Sequence, residues 1–202
     1  ILTCIEGGLG GLVVSSYLKP AIVSLHLLLA FIIISLLIYA FVRIYFQINK
    51  ISEFYTNSKS CNIKILLFIW CIVVFEVLLG TQMREGVEML IKDSPEVNST
   101  TVLSLLGVFK YIHSGVGFLL LALVYKLYKY RFEQPKGSLI IKLIITIYYI
   151  VVFQIIIGEF MIFFNFTATV RLLHMWLSSI ILGLITIMIA YIHSINIKLK
   201  YE

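Results

Sequence analysis

The sequence predicts an all-α integral membrane protein, with about five complete transmembrane helices after a partial first one and the last four gathered into a C-terminal bundle. Three observations predict it. Of 202 residues, 61% are hydrophobic and 13% charged, about half the charge of an ordinary soluble domain, and the mean hydropathy is +1.05. The apolar residues fall into blocks long enough to cross a bilayer, which takes about 20 residues as helix. The charges collect between those blocks. Helix satisfies its own backbone in lipid, which an open sheet does not.

The elements follow in order. Ile1 to Leu18 is apolar but glycine-rich and holds Glu6; it reads as the surviving part of a helix, and the whole chain as N-terminally truncated. Complete spans are expected at 21–42, 65–83, 103–125, 139–164 and 172–195, with Pro20 at the first turn of the first one. Residues 1–60 then form the remainder of an N-terminal half with two helices, and 61–202 a C-terminal half with four. Cys4 and Cys71 lie in apolar blocks, Cys61 lies in a connection, and no CxxC occurs, so neither a redox pair nor a thiolate metal site is indicated.

Charge placement orients the spans. Arg43, Lys50, Lys59 and Lys64 lie in the first connection, Lys126, Lys129, Arg131, Lys136 and Lys142 in the third, and Lys198 and Lys200 in the tail. That puts 11 of the 16 Lys and Arg on one side, which the positive-inside rule makes cytoplasmic. The net charge of +6 therefore reflects topology, and no nucleic-acid partner is expected. The 84–102 loop, with Glu85, Glu88, Asp93 and Glu96, is outside. A cysteine substituted for Ser94 is expected to react with a membrane-impermeant maleimide on intact cells; reaction only after permeabilisation would reverse the orientation.

Three histidines then share one depth. At about 1.5 Å per residue, His113 lies roughly 20 Å from Lys126 and His26 roughly 26 Å from Arg43, both in the outer part of a core about 30 Å thick. His174 is two residues inside the outer end of its span. His193 falls at the cytoplasmic end, with an interfacial role. A weak repeat supports the grouping: Gly10 precedes His26, and Gly158 precedes His174, by the same 16 residues. Each outward-running helix also carries Glu or Gln four residues before a glycine: Glu6 and Gly10, Glu76 and Gly80, Gln154 and Gly158. The unit is a helix pair, glycine-bearing going out and histidine-bearing coming in, of the kind that assembles into pseudo-symmetric bundles.

This pattern suits a metalloporphyrin. Two neutral imidazoles on facing helices can hold a planar macrocycle in a bundle core, glycines remove side chains that would strike the ring, and Lys19, Arg84, Lys110 and Arg171 can pair with propionates. Ionisable groups inside a span are functional by default. Close helix packing accounts for the glycines equally well, and Glu76 and Gln154 can equally serve as bonds between helices.

The stretch Glu76-Val-Leu-Leu-Gly80-Thr-Gln82-Met-Arg84-Glu85-Gly-Val-Glu88 resembles the fifth-helix motif of the heme A synthase (CtaA/Cox15) family. Leu9-Gly10-Gly11-Leu-Val-Val-Ser with Val-Ser-Leu-His26 resembles its third and fourth helices, and Leu-Leu-His174 after Gly158 its eighth. The resemblance covers essentially the whole chain. It implies eight helices in two pseudo-symmetric halves, in the inner (plasma) membrane, that convert heme O to heme A by oxidising a methyl group to formyl. It also implies a heme b cofactor between His113 and His174, a substrate heme at His26, Gly80, Gly158 and Arg84 as further cofactor-binding residues, and heme O synthase or oxidase-assembly proteins as partners. The sequence departs from the family in three respects. Two helices with the other substrate-side histidine and an implicated glutamate have no counterpart after Ile1, the outer-loop cysteine pairs are absent, and Ser114 stands where many members have arginine. The rival readings are a bis-histidine cytochrome b-type electron-transfer subunit and a transporter with histidine proton relays.

Overall fold

The computed structural model describes residues 1–48, 62–93, 98–134 and 138–201. It contains α1 (Leu2–Ser15), α2 (Pro20–Ile48), α3 (Ile63–Asp93), α4 (Ser99–Leu105), α5 (Val108–Tyr130), α6 (Leu139–Phe163) and α7 (Ala168–Tyr201), with a single 3₁₀ turn at Arg131–Glu133. Among the described residues, α2, α3, α5, α6 and α7 are long and apolar enough to cross a membrane. The protein is a multi-pass helical membrane bundle. At 1.5 Å per residue, α1 with its 14 residues reaches only about 21 Å. The expected boundary at residue 60 between the two halves, Cys61, Ser94 and Glu96 lie outside the described residues.

The ends of the spans differ from the sequence-based expectation. The described part of the stretch 84–102 is largely helical: α3 continues to Asp93 and α4 (Ser99–Leu105) adds two turns. The polar residues that suggested a loop lie on the helix instead, with Arg84 Nε 3.6 Å from Glu88 Oε1 one turn on. α5 starts at Val108 rather than 103, because Gly107, at φ +59°, turns the chain out of α4 in a conformation that glycine adopts without penalty. Two starts are capped by side chains, worth about 1 kcal/mol each. Asn98 accepts from Thr101 N at 2.9 Å, and Ser138 from Ile141 N at 3.3 Å.

The packing divides the bundle by depth. The main core joins Leu66, Ile69 and Val73 of α3, Leu120 and Val124 of α5, Ile144 and Ile147 of α6, and Ile185 and Met188 of α7. All of these lie in the halves of their helices next to the lysine- and arginine-rich connections. A second, small cluster of Val87, Val102, Leu106 and Phe166 closes the outer end. Between the two the bundle opens. Large apolar side chains elsewhere, such as Phe41, Leu37 and Trp176, are exposed, as a lipid-facing surface requires. In lipid such packing is held by dispersion and interhelical hydrogen bonds rather than by the hydrophobic effect. Trp70 Nε1 donates to Thr186 Oγ1 at 3.2 Å, tying α3 to α7. The Tyr39 hydroxyl and the Arg43 guanidinium of α2 both meet His193 Nδ1 of α7. The fourth histidine thus joins α2 to α7.

Candidate functional site

The opening in the outer half is a cleft between α3, α5, α6 and α7. Its floor is apolar, formed by Val73, Leu120, Val151 and Ile181. His113 enters from α5 and His174 from α7, and their ring centres stand 6.4 Å apart. Gly80 and Gly158 line the same cleft from α3 and α6. A methyl group built on Gly80 would lie 3.5 Å from His113 Cε1, and one on Gly158 would lie 3.3 Å from His174 Cε1. Each glycine therefore faces the histidine of its partner helix; a methyl group on Gly158 would press on the ring, while one on Gly80 would make ordinary contact.

The residue four positions before each glycine meets the same partner. Glu76 Oε1 lies 3.3 Å from His113 Nδ1, in contact though not aligned as a hydrogen-bond acceptor. Gln154 behaves differently. Its Nε2 donates to the His174 backbone oxygen at 2.8 Å and to Ser178 Oγ at 2.6 Å, so it holds the helix and leaves the ring alone. The Glu–Gly spacing was visible in the sequence, but its target was not, because the rotation of one helix against another is set by packing.

His26 forms a third copy of the unit, outside the cleft. Its Nδ1 is 3.0 Å from Glu6 Oε1, and a methyl group on Gly10 would stand 3.5 Å from its Cε1. Gly11, next to Gly10, has no neighbour within 4 Å of a built methyl. Among the described residues no ring contact joins His26 to His113 or His174. The half-turns that connect the helices show the repeat at the level of single hydrogen bonds. Ser16 N donates to Leu12 O and Leu18 N to Val13 O in the first, and Phe164 N to Phe160 O and Phe166 N to Met161 O in the second. Both turns put two consecutive residues in the left-handed region, Tyr17 with Leu18 and Asn165 with Phe166. That costs of order 1–2 kcal/mol per residue, so it persists only because the helices on either side dictate it. Gly10 and His26 stand about the first turn as Gly158 and His174 stand about the second.

Cations line the outer side of the cleft. Arg84, Lys110 and Arg171 all reach it. Glu88 bridges the two arginines, 3.1 Å from Arg171 Nη1 and 3.6 Å from Arg84 Nε, while Lys110 Nζ donates to Leu103 O at 3.1 Å. Both arginine Nε atoms are buried without a hydrogen-bond acceptor, so the site keeps donor capacity for anionic groups. Lys19 is exposed and does not line the cleft. Ser114 does line it.

The COX15-CtaA family model, described as cytochrome oxidase assembly protein, matches residues 1–186. The chain belongs to this family. The match spans α1, α2, both connecting half-turns and all of the residues that line the cleft. No curated protein and no solved structure matches the chain. Within this cytochrome oxidase assembly protein, no three of His, Cys, Asp and Glu converge on a bare metal ion among the described residues. Two imidazoles face each other instead. Such a pair can serve a metal whose remaining ligands come from elsewhere, with cationic side chains to one side and an apolar floor beneath.

Proposed function

We propose that this member of the cytochrome oxidase assembly family is a heme A synthase of the inner (plasma) membrane. It oxidises a methyl group of heme O to formyl, with heme b held between His113 and His174 and the substrate heme ligated by His26. The observation that carries the reading is the 6.4 Å between the two ring centres. Two metal–imidazole bonds of about 2 Å put the ligating nitrogens about 4 Å apart. A five-membered ring with bonds of about 1.33 Å has its centre about 1.1 Å behind each atom, so an axial pair should show ring centres about 6.3 Å apart. A porphyrin brings four nitrogens of its own, which accounts for a pair of histidines where a bare ion would call for more.

The residues divide the work by position. Heme b, when bound, supplies one-electron transfer. Gly80 and Gly158 leave the edges of the two imidazoles free of side chains, and Val73, Leu120, Val151 and Ile181 keep water from the cytoplasmic side. Arg84, Lys110 and Arg171 are placed for propionate oxygens, with Glu88 holding the two arginines until an anion arrives. The two heme sites are tied together: Gln82 Nε2, two residues past Gly80, donates to Ser24 Oγ at 2.9 Å, two residues before His26. That bond fixes α2 against α3, and with it the separation of the two histidine sites.

Expressing the full-length gene product together with a heme O synthase and extracting the hemes is expected to yield heme A. Heme O accumulating unchanged beside an intact b-type spectrum would reduce the protein to an electron-transfer cytochrome.

A further inference from the structure

Three copies of one unit occur in the chain, each with a glycine facing a histidine Cε1. They differ in the residue one turn before the glycine. It is Glu6 for His26 and Glu76 for His113, each with Oε1 beside Nδ1, at 3.0 and 3.3 Å. It is Gln154 for His174, bonded to backbone and Ser178 and set away from the ring, while none of the three buried Nδ1 atoms has a formed hydrogen bond. A carboxyl group in the apolar part of a membrane bundle is costly, and Glu76 Oε2 is buried with no hydrogen-bond partner. The fold also makes room for it: a methyl group on Gly117 would come within 3.1 Å of Glu76 Oε1. A side chain placed at that cost, in a pocket cleared by a glycine and aimed at one ring nitrogen, has a specific task.

We propose that Glu76 is a positioning residue for His113: it takes the Nδ1–H of the ring, leaves Nε2 as the ligating nitrogen and makes this imidazole a stronger donor than His174 opposite. This rests on the heme reading given above. A ligating histidine that gives its other N–H to a carboxylate is fixed in tautomer and orientation and gains basicity. The χ2 torsion of histidine is soft, so a small ring rotation converts the 3.3 Å contact into a hydrogen bond. The stronger donor favours the ferric state, and the two axial ligands of one heme are thereby unequal. Glu6 and His26 repeat the arrangement at the substrate heme.

The test is potentiometric titration of the full chain purified with heme, wild type against Glu76→Gln. The Gln variant keeps size and an acceptor oxygen but lacks the carboxyl group's capacity to take the ring proton. Its heme should stay six-coordinate and low-spin while its midpoint potential rises, changing the reduced-to-oxidised ratio at the wild-type midpoint about tenfold, or about 59 mV for one electron. A ratio changed by less than about threefold, with the low-spin spectrum intact, would overturn the proposal. Should Glu76→Gln bind no heme, Glu76→Asp decides: recovery of the pigment by the shorter carboxylate supports the role, and failure of both overturns it. Wild-type protein that purifies without heme, and takes up none when it is supplied, would instead overturn the heme reading on which the proposal stands.

Discussion

His113→Ala and His174→Ala should each abolish the low-spin b-type spectrum of the purified protein, with heme retention falling by more than about 100-fold. Loss of a residue that merely orients a metal ligand costs about 10–100-fold in affinity, and loss of the ligand itself costs more. The cleft offers no substitute imidazole among the described residues. Among the described residues His26 and His193 lie outside it, with His193 committed to Tyr39 and Arg43. Both variants should still fold, because the main core lies on the cytoplasmic side of the cleft and neither ring belongs to it. Reduced-minus-oxidised difference spectra of the three proteins at equal concentration make the comparison. A six-coordinate spectrum surviving either substitution would mean that the two rings are not the axial pair.

His26→Ala is expected to do the opposite: heme A formation falls below detection while the b-type spectrum is retained. The physical basis is separation. His26 meets Glu6 and Gly10 on α1, and among the described residues no ring contact or ion pair connects it to His113 or His174. Its helix touches the C-terminal bundle through Gln82–Ser24 and through α7, and neither contact involves the imidazole. Extracting hemes from cells that co-express a heme O synthase, alongside the optical spectrum of the same membranes, separates the two functions in one preparation. Loss of both signals together would collapse the two sites into one.

The sequence by itself determined the class and the register. Runs such as 139–163 and 20–48 admit no reading but a membrane helix, since lipid leaves the backbone no other way to satisfy its polar groups. The concentration of 11 of the 16 lysines and arginines on one side set the expected orientation of those helices, and the 16-residue spacing of Gly10 to His26 and of Gly158 to His174 already stated that one helix pair occurs twice. These features are one-dimensional: length, sign of charge and periodicity along a single helix. What lay between helices was not legible. Arg84, Glu85, Glu88 and Lys92 read as a loop because they are polar, yet they continue α3 because Glu88 finds Arg171 on α7 as well as Arg84 one turn before it. Glu76 and Gln154 occupy equivalent places in the pattern, but Glu76 meets an imidazole and Gln154 a backbone carbonyl. Spacing alone left open which of the three histidines pair; the family resemblance already implied His113 with His174, and the structure brings those two rings to 6.4 Å. Only the tertiary structure decided these points, because the rotation of each helix about its axis, and hence the partner each polar group finds, is fixed by packing against neighbours distant in the chain.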